Sequence, residues 1–239
     1  MTMYGNDRRV RRRHPLRTSI IVLIVLIGLL IAADFAARAY AESKTAAEIQ
    51  QHGFPKKPSV DIEGFPFLTQ VAAHKLNDVQ ISSGNVTEGP LEIASISASL
   101  KDVHLNGRFN GGTIDSLNGT AAITFAALSN ALASEAGSLG PLAKSVLSFS
   151  AAGPGEVKAT LHVLAFSGTA VWRVTVRHGN AIHIRLVSAG GLPTSVLSPI
   201  ADRTLQLPSL PLGLQIQSIS VSSSGLVGVL TGQDVSFGS

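Results

Sequence analysis

Sixteen consecutive residues, Thr18–Ala33 (TSIIVLIVLIGLLIAA), carry no charge, and six arginines (Arg8, Arg9, Arg11, Arg12, Arg13, Arg17) stand before them. The core helix of a soluble domain has no use for that pairing. As a helix the stretch spans about 24 Å, against a hydrocarbon core of roughly 30 Å. Asp34 interrupts it, and Phe35-Ala36-Ala37 extends it to Arg38. Residues 18–37 therefore read as a membrane anchor or a signal peptide, and Ala39-Tyr40-Ala41 has the small-x-small pattern of a cleavage site. In both cases the arginines keep residues 1–17 in the cytoplasm and the remainder crosses. The first reading is a chain held in the inner membrane with its domain on the periplasmic side. The alternative is cleavage and release into the envelope.

Beyond this segment the charge pattern changes. From Glu42 onward there are 12 Lys/Arg against 13 Asp/Glu, so the isoelectric point near 9.7 belongs to the tail and does not argue for nucleic acid. The chain has no cysteine, which excludes a disulfide scaffold and thiolate metal sites. Residues 38–58 are rich in helix formers up to Gly53 and Pro55 and read as a helical stalk and linker. Residues 59–239 are the domain.

Within the domain, Val60 and Ile62 alternate with Asp61 and Glu63, a half-buried strand that Gly64 ends. Pro66 suits the first turn of a short helix through His74, with Phe67, Leu68 and Val71 on one face. Leu91–Leu105 is a long strand with a phase defect: Ala94, Ile96, Ala98 and Leu100 share one parity, Val103 and Leu105 the other. A bulge near Lys101-Asp102 would keep both sets inward. Asn106–Gly112 and Asn118-Gly119 are turn signals. Thr124 is a helix N-cap before Phe125, Leu128 and Leu132, with Gly137 as the stop. Glu156–Leu164 is a strand and Ala170–Val187 a hairpin. A three-residue loop, His178-Gly179-Asn180, pairs Val176 with Ile182 and Trp172 with Leu186, leaving Arg173, Thr175, Arg177, His183 and Arg185 as the wet face. Leu192–Thr204 reads as a helix interrupted by Pro199, and Leu214–Ser222 and Leu226–Phe237 as a last pair of strands. The fold class is α+β: a long curved antiparallel sheet packed on two or three helices, preceded by the hydrophobic helix.

Nucleophile-elbow, zinc-protease, P-loop and dinucleotide motifs are absent, so no catalytic residue, metal-ligand set or cofactor is assigned. Two residue sets carry binding chemistry. Phe65, Phe67, Leu68 and Val71 would line an apolar lipid groove or fill an ordinary core. Arg173, Arg177 and Arg185 would hold an anionic headgroup through bidentate bonds to phosphate, or simply face water. Asp61 and Glu63 read as a solvated strand face.

The run VDIEGFPFLTQ (Val60–Gln70), the KLNDV strand (Lys75–Val79), ISASLKDVHL (Ile96–Leu105) and LPLGLQIQSISVSSSGLVGVLTGQDV (Leu210–Val235) resemble actinobacterial envelope proteins of the LmeA type. The resemblance extends to the N-terminal hydrophobic segment. It implies a protein that binds phospholipid, of phosphatidylinositol type, in a groove similar to those of tubular lipid-binding folds; the missing catalytic motifs argue against an enzyme acting on glycolipid. It further implies a role in elongating the mannan of lipomannan and lipoarabinomannan beside a membrane mannosyltransferase. The alternative is an interaction module that supports such a glycosyltransferase without carrying lipid.

Overall fold

The computed structural model describes residues 15–51, 55–88, 91–134, 146–163, 166–177, 181–193, 197–198, 201–206, 210 and 213–238. Helix α1 (Pro15–Gln51) is one uninterrupted element, so the hydrophobic segment and the Ala/Glu/Lys-rich stretch after it form a single rod. Strand β1 (Ser59–Glu63) buries Val60 and Ile62 and exposes Ser59, Asp61 and Glu63, as its alternation predicts. Gly64 then turns the chain at φ 100°, and a Cβ there would lie 2.8 Å from Gln70 Nε2. That amide cannot easily yield. It donates to the Glu63 carbonyl at 3.2 Å while Gln70 Oε1 accepts from the Asn77 N–H at 3.0 Å, tying β1 to the next strand. Gly64→Ala is expected to lower stability by about 1–3 kcal/mol through the left-handed backbone and this contact, read by denaturant titration.

Helix α2 (Phe67–Ala72) follows, then β2 (Lys75–Glu88), β3 (Leu91–Leu105) and β4 (Gly111–Thr124). With β10 (Gln215–Val221) and β11 (Gly225–Gly238) they form a six-stranded antiparallel sheet in the order β1-β2-β3-β4-β11-β10. The expected phase defect is present, in a different form. Asp102 takes a left-handed φ of 52°, yet β3 keeps register with both neighbours, because each neighbour shifts phase at the same level. Leu76 and Val79, Leu100 and Val103, Ile114 and Leu117 all face one core although each pair is three residues apart. Regular strand alternation would put such pairs on opposite faces. On β11 the same step separates Gly232 from Val235, with Asp234 at φ 50°. Aspartate tolerates this region better than most residues.

Asn118-Gly119 is not a turn but the middle of β4, paired on one side with Ser99 and Ala98 and on the other with Thr231 and Leu230. Ladders on both sides outweigh the local turn preference, and Gly119 is buried with Leu230 packed over it.

Helix α3 (Phe125–Ser134) is capped as expected: the Ala127 N–H donates to Thr124 Oγ1 at 3.0 Å. It packs against β3, β4 and the later strand Val146–Gly153. Its expected stop at Gly137 lies outside the described residues. A second antiparallel sheet, where one sheet was expected, comprises β5 (Val146–Gly153), β6 (Glu156–Val163), β7 (Phe166–Arg177), β8 (Ala181–Gly190) and β9 (Asp202–Gln206), in that order. Its core joins Ala159, Leu161, Ala170, Trp172, Leu192 and Leu197. Val176 opposes Ile182 and Trp172 opposes Leu186, the register the alternation predicts. The loop at 178–180 lies outside the described residues.

Two expectations fail here. Asp202–Gln206 is a strand rather than the end of a helix, because Arg203 and Leu205 extend the sheet opposite Ile184 and Ile182. As a result His183, expected in the wet set, is buried under β9, with its Nδ1 3.3 Å from Thr204 Oγ1.

Candidate functional site

The larger sheet has one polar and one apolar face, and register fixes which residues share each. On the polar face, Ser82, Ser97 and Thr120 form one cross-strand row and Gln80, Ser99 and Asn118 another, most of them exposed. The apolar face has two regions. At one end Leu76, Val79, Val103, Ile114, Leu117 and Val235 are buried beneath Phe67 of α2 and Ala46 of α1, with Val71, Ala37, Ala41 and Ile49 packed against them. Next to that cover, the rows Ile81–Ala98–Gly119–Leu230–Ile216 and Ser83–Ile96–Ala121–Gly228–Ile219 continue the apolar surface, with Ile81 at the β2 end of the first still packed against the sealed cluster. Apart from buried Gly119, these side chains are only half-buried. Small residues alternate with Ile and Leu along both rows, which makes a relief of hollows and ridges suited to flexible hydrocarbon.

The second half of α1 is part of this construction. Asp34, 4 % exposed, directs both carboxylate oxygens at the start of α2: the Phe67 and Leu68 N–H groups donate to Oδ2 and Oδ1 at 2.9 and 2.7 Å. These are donors a helix cannot satisfy internally, and charge-assisted bonds are the stronger kind. Two turns further on, Glu42 Oε1 accepts from the Ile62 N–H at 2.9 Å and from Arg38 Nε at 2.7 Å. The Arg38–Glu42 contact raises the Arg38 pKa further. Asp34 was legible in sequence only as an interruption; its partners lie 33 and 34 residues away.

The sequence candidates separate into groups. Phe67 is 5 % exposed within the core and Val71 lies against the same cluster. Phe65 and Leu68 are exposed beside α1, where the Phe65 ring stacks on Phe35 with centroids 6.1 Å apart. Arg173, Arg177 and Arg185 are exposed on the smaller sheet. Arg173 opposes Arg185 across the ladder and pairs with Glu156 at 2.6 Å. Sequence reading missed Lys56 and Lys57, which line a shallow cleft of about 490 Å³ with Ser82, Ser83, Ser95, Ser97 and Ile96. A second hollow of about 500 Å³ is lined by Ser116, Asn118, Gln215, Gln217 and other small or polar residues. The second hollow is mainly polar, and the first is walled by lysines and serines around one large apolar side chain, Ile96; the half-buried rows carry the larger run of Ile, Leu and Ala and are the better surface for hydrocarbon. No group of His, Asp and Glu suited to a metal ion occurs among the described residues.

A family model described as LmeA-like phospholipid-binding matches residues 32–231. The chain belongs to this family. Phospholipid binding is thus the family's activity, and the match takes in the docking half of α1, with Asp34, Arg38 and Glu42, the whole of the smaller sheet and the larger sheet up to the middle of β11. No curated protein and no solved structure matches this LmeA-like chain. Helix α1 is long and apolar enough to cross a membrane or serve as an export signal.

Proposed function

We propose that this LmeA-like protein holds a phospholipid with its acyl chains on the half-buried apolar rows of the larger sheet, on the extracytoplasmic side of the membrane. The observation that carries the reading is the two-part apolar face. One end is sealed by Phe67, Val71 and α1, and the remainder continues as Ile, Leu, Ala and Gly without that cover. In this reading Phe67 and Val71 close the end of the acyl surface, and Phe65 and Leu68, exposed on the outside of α2, meet membrane lipid rather than the bound phospholipid. Two cation sets are proposed for the headgroup: Arg173, Arg177 and Arg185, and the Lys56/Lys57 pair, whose cleft at the sheet edge is lined by Ser82, Ser95 and Ser97 of the polar face and reaches the apolar rows at Ser83 and Ile96.

The resemblance to LmeA-type proteins further supports a phosphatidylinositol-type ligand and a role in mannan elongation of lipomannan and lipoarabinomannan beside a membrane mannosyltransferase. The test is native mass spectrometry of the full chain from gentle detergent, with headgroup identification. One phospholipid per chain is expected. Lys56→Glu/Lys57→Glu and Arg177→Glu/Arg185→Glu identify which cations read the headgroup, by which one lowers retention. Absence of lipid together with a co-purifying glycosyltransferase would replace this reading with the interaction-module one. Shortened envelope mannan in cells lacking the protein tests the pathway separately.

A further inference from the structure

The apolar helix does not leave the domain through a loose tether. Between Ile20 and Ile31 its large side chains are all exposed, while Asp34, Arg38, Glu42 and Ala46 belong to the domain's own bonding and core. The change from bare to docked helix occurs within one turn. At that level sit Phe35, 57 % exposed, Phe65, 62 % exposed, and Leu68, 43 % exposed. Outside α1, only four large apolar side chains are exposed among the described residues, and Phe65 and Leu68 are two of them. A pair of stacked phenylalanines beside a leucine is a poor surface for water and a good one for the headgroup–acyl boundary.

Length points the same way. The uncharged stretch reaches about 24 Å, short of the roughly 30 Å hydrocarbon core, and short spans draw their flanks toward the bilayer. Asp34 would then lie at the lipid boundary, where a bare carboxylate is costly. The two α2 N–H groups that it accepts from remove that cost. We propose that Phe35, Phe65 and Leu68 form a foot that rests on the lipid bilayer crossed by α1, and that Asp34 and Glu42 fix α1 to the domain so that the domain sits flush on the membrane. Ala39-Tyr40-Ala41 is, on this reading, an uncut stretch of the docked helix. The foot contacts bilayer lipid, not the bound phospholipid, so it stands apart from the proposed acyl surface.

The chain has no cysteine, so single Cys variants give a clean label. Full-length Leu68→Cys and Val187→Cys, each carrying an environment-sensitive fluorophore, are reconstituted in phosphatidylcholine/phosphatidylglycerol vesicles containing shallow spin-labelled lipid. The Leu68 label is expected to blue-shift and to be quenched several-fold more than the label at Val187, an exposed apolar site on the smaller sheet. The intact mass of membrane-extracted protein is expected to retain residues before Ala41. Equal, weak quenching at the two sites overturns the foot, and a chain beginning near Glu42 overturns the fixed anchor. Lipid retained per chain, measured on the same samples, shows whether the acyl surface stands or falls independently.

Discussion

Phe67→Asp is expected to abolish cooperative folding. The ring is 5 % exposed, packed in the core of the larger sheet, and its own N–H is held by Asp34. Loss of a buried phenylalanine ring alone costs about 3–5 kcal/mol. A carboxylate put in its place would sit in an apolar cluster near the Asp34 carboxylate and adds a desolvation penalty. Against a total stability of about 5–15 kcal/mol for a domain, the sum removes most or all of the margin. Far-UV circular dichroism should show no cooperative melt, whereas Phe67→Leu should melt as one transition at a somewhat lower temperature. A near-native melt for the aspartate variant would mean that the side chain faces a fluid ligand and not a packed interior.

The second large effect is on lipid content. Gly228 lies mid-row on the apolar face, opposite Ala121 and Ile219, and a Cβ placed there meets only the Ala121 carbonyl at 3.9 Å. Gly228→Phe can therefore add a ring above the surface without displacing backbone. Phospholipid retained per chain should fall by about tenfold or more, a free-energy change of at least 1.4 kcal/mol, with the melting temperature nearly unchanged. Val229→Phe, on the opposite face beside Thr120, should leave lipid content intact. If Gly228→Phe instead lowers stability by about 1–3 kcal/mol, the signature of overpacking, and lipid is unaffected, the rows are covered by protein and the acyl surface lies elsewhere.

Local pattern carried the strands well wherever one face is buried. Val60 and Ile62 on β1, the Ile96–Leu100 alternation and the Trp172–Leu186 register follow from period-two hydrophobicity alone. It failed where distant pairing decides. Asp202–Gln206 has a single large apolar residue, so nothing local marks it as a strand, yet it closes the edge of the smaller sheet and buries His183. Asn118-Gly119 has the chemistry of a turn, and only ladders from both sides hold it straight. The candidate lipid residues were the conspicuous aromatics, but conspicuous aromatics are also what a core consumes, as Phe67 shows. The half-buried rows looked like ordinary strand interiors. Which stretch of an apolar face a helix covers is a matter of helix placement, and the Asp34 and Glu42 contacts that set it span 20 to 34 residues.

The phase step shared by β2, β3, β4 and β11 also bears on how this chain can change over time. A one-residue deletion at Asp102 would turn one end of β3 inside out relative to partners that still carry their extra residue. The same holds for Asn77, Asp115 and Asp234, which occupy that level on the neighbouring strands. No single strand can lose the step and keep its neighbours. The four positions are inherited as a block: insertions and deletions should be tolerated at the 106–110 turn or the 222–224 turn, and purged from this band whatever the side chains beside it become.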